Sequence, residues 1–307
     1  MFVRALRRNP SLILFLVICL LVGWQLGARE GDLRDVVSPI RERYAAAQAS
    51  LKEEPKQKNR LAIVTFVTDQ RSYLHLSLKN HDHYARRHGY DFIIDYEAHP
   101  PLGTPWWKLD MLERLIKLDK WDWLWWMDFD TLIMDTGIKV TDIINETLAT
   151  VPDPDKIEYL LTHDCNGLNS GSYILRSRQS AIDLMNLIRA FKSTMEKGLE
   201  EDRQLSEQDV MGELFKVDKN AAERTVRVQQ QKLNAFPKEI ACFDHESHEW
   251  QPHDFVIHFA GAWAHVKGDD PTGQLMKKYE PWIKWGDWDS FDWKVGGKEG
   301  DSGWHVL

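Results

Sequence analysis

Cysteine is scarce in this chain, with 3 residues in 307. Cys19 lies in an apolar segment, so a disulfide framework cannot carry the fold, and only Cys165 and Cys242 remain to pair if the chain brings them together. Positive charge is also short. Lys and Arg number 39 against 47 Asp and Glu, for a net charge of −8, and no basic run occurs outside the extreme N-terminus. That removes the electrostatic footprint of a nucleic-acid binder, and a protein of this balance that handles phosphates needs a metal ion or a few placed cations. Internal repeats and low-complexity tracts are absent too. The 43% of hydrophobic residues is enough for one large core or two small ones.

Long apolar runs are limited to one. Residues 11–27, "SLILFLVICLLVGWQLG", carry no charge and reach the lower length limit of a membrane-spanning helix. Arg4, Arg7 and Arg8 precede them, which favours a cytosolic N-terminus, although Arg29 and Arg34 soften the contrast. The expected organisation is a cytosolic tail at 1–10, a transmembrane signal anchor at 11–27, a solvated stalk at 28–59 and a luminal domain at 60–307. A cleaved signal peptide is the competing reading, since Gly27 and Ala28 offer small residues near a cut. In the luminal arrangement Asn145, in Asn145-Glu146-Thr147, is a glycosylation acceptor.

From Leu61 the pattern is that of a folded domain. "LAIVTFVT" predicts a strand and includes Thr65, a candidate nucleotide contact. Residues 72–88 predict a helix with Leu74, Leu78 and Tyr84 inward and Gly89 as its cap. "YDFIIDYE" is the next strand. Thr104-Pro105 reads as an N-cap followed by proline in the first turn, and Leu109, Leu112, Leu115 and Ile116 form the apolar face of that helix. "WLWWM" is a third strand. This alternation is the signature of a Rossmann-like parallel sheet, whose ligands bind beyond the carboxyl ends of its strands. Further on, "GSYILR", "RVQQQ" and "FVIHFAG" predict strands, with helices over 181–197 and after Ser206.

The third strand runs into Asp128 and Asp130 within "WDWLWWMDFDTLIMD". In an extended chain these two side chains face the same way, about 7 Å apart. Two carboxylates leaving an apolar strand invite a cation, and oxygen ligands suit Mg2+ or Mn2+. A turn in which one aspartate caps an amide is the plain alternative. Dehalogenase-like phosphatases also place D-x-D at a strand end, but Leu132 stands where that family has Thr or Val. His258 could complete a metal site, although a lone strand histidine is more often a core residue. Asn169, Ser170 and Gly171 read as a tight turn able to contact a sugar or diphosphate. Ser206 and Asp209 read as a capping box that merely opens a helix, the alternative being that Glu207 and Gln208 reach a sugar. Lys108 and Lys267 could each neutralise a leaving diphosphate, and each alone is commonly a surface lysine. The C-terminal tryptophans, Trp282, Trp285, Trp288 and Trp293 among them, read as a packing clamp over the core.

In their order, "WWMDFDTLIMD", "GLNSGSYILR", "SEQD" and "HFAG" resemble glycosyltransferase family 34, which contains fungal α-galactosyltransferases, α-1,6-mannosyltransferase subunits and plant xyloglucan xylosyltransferases. The resemblance implies an α/β GT-A fold behind an N-terminal transmembrane helix and stalk, with Mn2+ held by Asp128, Asp130 and His258. It further implies a nucleotide-sugar donor, retention of anomeric configuration, and Asn169, Glu207 and Gln208 along the donor sugar, the last two as the catalytic pair. Two departures stand out. Ser206-Glu207-Gln208 replaces Asp-Asp-Gln, and Trp263 occupies the place of a lysine for which Lys267 is the nearest substitute. The expected activity is transfer of a hexose to a glycan or small hydroxyl acceptor, UDP-galactose being favoured over GDP-mannose and UDP-xylose. The expected location is the Golgi membrane, single-pass, with glycosyltransferase complex partners possible. A non-catalytic subunit of such a complex is the alternative of a different class.

Overall fold

The computed structural model describes residues 60–96, 103–197 and 204–286. The expected tail, anchor and stalk, together with Trp288 and Trp293, lie outside these residues. Among the described residues no helix is long and apolar enough to cross a membrane.

The strands are β1 (Leu61–Phe66), β2 (Asp91–Asp95), β3 (Trp123–Met127), β4 (Thr131–Ile133), β5 (Tyr159–Asp164), β6 (Gly167–Arg176), β7 (Thr225–Arg227) and β8 (Val256–His258). A six-stranded sheet has the order β2-β1-β3-β6-β5-β7, and β4 pairs with β8 in a separate antiparallel pair. β2, β1 and β3 are parallel as expected, but β6 runs antiparallel to β3 and β5, so the sheet is mixed. β5 and β6 form a hairpin, and a hairpin needs no helical crossover of the kind that makes neighbouring strands parallel. The carboxyl ends of β1, β3, β5 and β7 therefore share one edge of the sheet with the start of β6.

The tryptophan run is explained by two covered faces. Alternate side chains of a strand point to opposite sides. Leu124 and Trp126 join Leu112, Leu115 and Met185 on one side, while Trp123, Trp125 and Met127 join Tyr84, Ile143 and Phe255 on the other. Every residue of β3 is buried. A third cluster, with Leu132, Phe236, Ile257, Phe259 and Met276, packs around the β4–β8 pair.

The helices are α1 (Leu74–His88), α2 (Trp107–Lys117), α3 (Val140–Leu148), α4 (Gln179–Glu196), α5 (Glu207–Val217), α6 (Lys219–Ala222), α7 (Gln230–Leu233), α8 (Ala262–His265) and α9 (Pro271–Tyr279). α1 ends at Gly89, whose left-handed φ of 66° suits a residue without a Cβ. Its inward face is more polar than its leucines suggest: Ser77, Asn80, His81 and Tyr84 are buried, whereas Leu74 and Leu78 are half-buried. Asn80 explains this, because its amide donates to Ile133 O at 2.9 Å and accepts from Ile133 N at 2.7 Å, completing the open edge of β4.

Four local expectations change. Thr104 makes no cap hydrogen bond and instead opens a 3-10 turn, Thr104–Trp106, that leads into α2. "RVQQQ" stops being a strand after Arg227, and Gln230 turns inward to accept from Asp244 N at 2.9 Å. Asn169, Ser170 and Gly171 lie inside β6, because the hairpin turn falls earlier, between Asp164 and Gly167. Among the C-terminal tryptophans, Trp285 packs on the third cluster, but Trp282 is 56% exposed. Cys165 and Cys242 form a disulfide that ties this hairpin turn to a segment 77 residues on. Asn145 is exposed on α3, while Thr147 of the same acceptor sequence is buried.

Candidate functional site

Asp128 follows β3 directly, but the chain does not stay extended to Asp130. Thr131 N donates to Asp128 O at 3.1 Å and the Thr131 hydroxyl donates to the same oxygen at 2.6 Å, which closes a turn. The 7 Å separation of an extended strand is thereby shortened. One carboxylate oxygen from each of Asp128 and Asp130 and one ring nitrogen of His258 lie within 4.8 Å of one another. The β4–β8 pairing delivers the histidine: His258 stands opposite Thr131, and Phe259 N donates to Asp130 O at 3.0 Å.

His258 Nε2 is 3.2 Å from Asp130 Oδ1, and its Nδ1 is 2.8 Å from Asn234 Oδ1. Asn234 Nδ2 donates to Thr162 Oγ1 at 2.9 Å and to Asn169 Oδ1 at 2.8 Å. Asn169 Oδ1 also accepts from Gly171 N at 2.9 Å, and Asn169 Nδ2 donates to Asp164 Oδ2 at 2.7 Å. The orientation of each amide follows from the backbone N–H of Gly171, which can only donate. Asn234 thus turns its oxygen to His258, so Nδ1 carries a proton and Nε2 keeps its lone pair towards Asp130. Two carboxylates and an imidazole nitrogen so oriented form a donor set that fits Mn2+ or Mg2+.

The ring of His258 packs against Gly171 of β6. A Cβ on Gly171 would fall 2.0 Å from His258 Cε1, so only glycine leaves room for it. Asn169 serves the same histidine, since both ends of its amide are engaged within the protein.

On the other side of Asp128 lies Lys108, buried on α2 and 3.0 Å from Asp128 Oδ1 and 3.2 Å from Glu207 Oε1. Its Nζ also donates to Ser170 O at 3.2 Å. Burial alone would lower the Lys108 pKa, but the two carboxylates outweigh it and raise the pKa, so the ammonium stays charged. Lys108 is therefore not the surface lysine that its residue type suggests: it is buried, and Asp128 and Glu207 match its charge inside the fold. The Ser170 hydroxyl donates to Glu207 Oε1 at 2.7 Å, and Ser170 N donates to Gln208 Oε1 at 2.7 Å. Ser206 caps α5 in a complete capping box with Asp209. Asp128, Asp130, His258, Lys108, Asn169, Ser170, Gly171, Glu207 and Gln208 therefore form one connected cluster.

Two expected residues stay outside it. Lys267 is exposed, and no hydrogen bond or ion pair joins it to the cluster. Thr65 is buried within β1, and its hydroxyl has no hydrogen-bond partner among the described residues. Asn234 and Tyr73 went unnoticed in the sequence. Tyr73 stacks on Phe129 with ring centres 5.4 Å apart, and burial followed by the Asp130 charge pushes its phenol up to about 12. Neither belongs to a motif; Asn234 carries no signal beyond an isolated amide between a polar helix and a strand.

The model of the galactosyl transferase GMA12/MNN10 family matches residues 57–268. The chain belongs to that family. Glycosyltransferase family 34 is thus its family as well as its resemblance. A "probable alpha-1,2-galactosyltransferase gmh1" of Schizosaccharomyces pombe is 26% identical, over 66% of this chain and 66% of its own. A "probable alpha-1,6-mannosyltransferase MNN10" of Saccharomyces cerevisiae is 24% identical over 61% of this chain and 54% of its own. A "probable xyloglucan 6-xylosyltransferase 3" of Arabidopsis thaliana is 33% identical over 37% of this chain. The chain thus spans 54% to 66% of the length of the first two relatives and 25% of the third. A solved glycosyltransferase involved in glycosylation of the major capsid of PBCV-1 shares the fold, with a TM-score of 0.52 and 14% identity over 71% of this chain and 99% of its own. The mixed-sheet α/β architecture is that of GT-A glycosyltransferases.

Proposed function

We propose that the family 34 member is a retaining hexosyltransferase that moves a sugar from a nucleotide-sugar donor, UDP-galactose first, to a hydroxyl of a glycan. The observation that carries this is the convergence of Asp128, Asp130 and a tautomer-fixed His258 at the carboxyl ends of the strands. These three residues would hold Mn2+, which when bound supplies positive charge for a diphosphate leaving group. The related names include galactosyl, mannosyl and xylosyl transferases, which supports the class of reaction more than one donor.

The protein's own residues act around that point. Lys108 sets the positions of Asp128 and Glu207 by its two ion pairs. Gln208 spends its oxygen on Ser170 N, which leaves its NH2 group to donate to a sugar hydroxyl. Glu207 is buried against Lys108 and Ser170 and is held as a counter-charge, not presented as a covalent nucleophile. A front-face route follows: the bond from the anomeric carbon to the phosphate oxygen breaks, and the bond to the acceptor oxygen forms on the same face. The acceptor proton passes to the departing phosphate oxygen. The membrane-anchored Golgi arrangement drawn from residues 11–27 belongs to the same proposal.

The test is donor hydrolysis and transfer by the full-length chain with UDP-galactose, GDP-mannose, UDP-xylose and UDP-glucose, with and without Mn2+. Metal-dependent release from UDP-galactose, abolished in Asp130→Asn, is the expected result. Release unaffected by Mn2+ and by that substitution overturns the metal assignment. No release from any of the four by folded protein favours the non-catalytic subunit.

A further inference from the structure

A cavity of about 400 Å3 opens between α5 and the carboxyl ends of β5 and β7. It lies on the same edge of the sheet as the aspartate pair, because β5 and β7 run in the direction of β3. Its volume falls in the range of small-molecule sites, about 300–1,000 Å3. Leu161, Leu168, Phe215 and Val226 give it apolar walls.

Gln208 connects the cavity to the metal-ligand cluster. It lines the cavity, and its Oε1 accepts from Ser170 N at 2.7 Å. Ser170 in turn holds Glu207, which Lys108 joins to Asp128. Gln208 therefore belongs both to the cavity wall and to the hydrogen-bonded cluster around the aspartates, as a residue bordering a donor sugar and the attacking hydroxyl would.

The charges in the wall are matched. Lys216 pairs with Glu213 at 2.7 Å, Arg227 pairs with Asp244, and Asp209 is used in the capping box of α5. Among the described residues of the wall no cation is left over to recognise a phosphate or carboxylate. His163 also lines the cavity. Burial and the Arg227 guanidinium hold that imidazole below its ordinary pKa, so at neutral pH it is uncharged and can bond a hydroxyl. Apolar walls, neutral hydrogen-bonding groups and balanced charge suit the alternating faces of a pyranose.

We propose that this cavity is the acceptor subsite and takes the terminal sugar of a neutral oligosaccharide. The assignment of an acceptor rests on the transferase reading above; the sugar-binding property is tested separately from it.

Gly212 provides the probe. It lies on α5 in the cavity wall, and a Cβ there meets only Leu168 Cβ, at 3.8 Å. Gly212→Ala should be accommodated, and Gly212→Trp should fill the space. Saturation-transfer NMR on the full-length chain would use methyl α-mannoside, methyl β-galactoside and cellobiose, with mannose 6-phosphate as the charged comparator. The expected result is saturation of at least one neutral glycoside by the native chain and by Gly212→Ala, at least tenfold weaker binding by Gly212→Trp, and no preference for the phosphate. Mn2+ binding read by electron paramagnetic resonance should be unchanged in both variants, which reports that the fold is intact. Where Gly212→Trp does not fold, Gly212→Leu replaces it with the same expected direction. Equal binding by the filled variant, preference for mannose 6-phosphate, or no saturation of any neutral glycoside by the native chain overturns the proposal. Failure of donor hydrolysis with sugar binding intact would instead count against the transferase reading.

Discussion

His258 Nδ1 donates to Asn234 Oδ1 at 2.8 Å, and this single bond decides which ring nitrogen faces Asp130. Asn234 has its own orientation imposed by Asn169, and Asn169 by the backbone N–H of Gly171. A fixed backbone donor is thus transmitted through two amides to a metal-ligand candidate. Replacing Asn234 by Leu should weaken Mn2+ binding about 10–100-fold, the usual effect of losing such a support. Asn234→Asp, which keeps an acceptor opposite Nδ1 but sets a carboxylate oxygen instead of a donor against Asn169 Oδ1, should recover only part of it. Titration of Mn2+ by electron paramagnetic resonance without donor checks this, and equal affinities in all three proteins would refute the role of Asn234.

Gly171→Ala should displace the histidine ring. The added carbon would lie 2.0 Å from Cε1, so the ring or the strand must move, at a cost of roughly 1–3 kcal/mol in stability. Mn2+ affinity should fall together with the urea midpoint. A variant with native affinity would show that His258 has room that the geometry denies.

Lys108 stands between Asp128 and Glu207, and Glu207 is the more deeply buried of the two acids. Lys108→Met should therefore destabilise the chain by about 3–5 kcal/mol, mostly by leaving the Glu207 charge unpaired. Adding Glu207→Gln should restore part of that loss. Urea unfolding of the single and double variants measures it; a double variant no more stable than the single one excludes this cause.

His81 is buried on α1, and burial lowers its pKa from 6.5 to about 4. The folded chain keeps this ring neutral while the unfolded chain takes up a proton below pH 6.5, so stability is full above that value and declines as pH falls towards 4. The loss from this ring amounts to roughly 3 kcal/mol across the window. Comparing urea midpoints of native chain and His81→Gln between pH 7 and 4.5 tests the sign: the variant should show the shallower decline.

The Cys165–Cys242 bond closes a span of 77 residues, and Asp164, which holds Asn169, is the neighbour of Cys165. Replacing both cysteines by serine should cost about 2–4 kcal/mol and make stability indifferent to reductant. An unchanged urea midpoint on reduction of the native chain would contradict this.

Much was legible along the chain. The apolar run of β3, the leucines of α2, the capping box at Ser206 and the order of the family motifs are all local or nearly local patterns. They read correctly because side-chain period and capping depend on residues a few positions apart. Less legible were the polar inward face of α1, the placement of Asn169, Ser170 and Gly171 within a strand, and the commitment of Lys108 to an internal charge pair. Each depends on a partner far along the sequence: Ile133 for Asn80, Asp164 for Asn169, and Glu207 for Lys108.

By itself the sequence determined the family, the α/β class and the identity of the carboxylates and histidine that meet. Residue types and their order are sufficient for that, because chemistry and period are written locally. Only the tertiary structure decided that a turn brings Asp128 and Asp130 together, that Asn234 orients His258 and that Gln208 borders a separate cavity. Hydrogen-bond direction and burial exist only once distant segments pack, and no spacing along the chain encodes them.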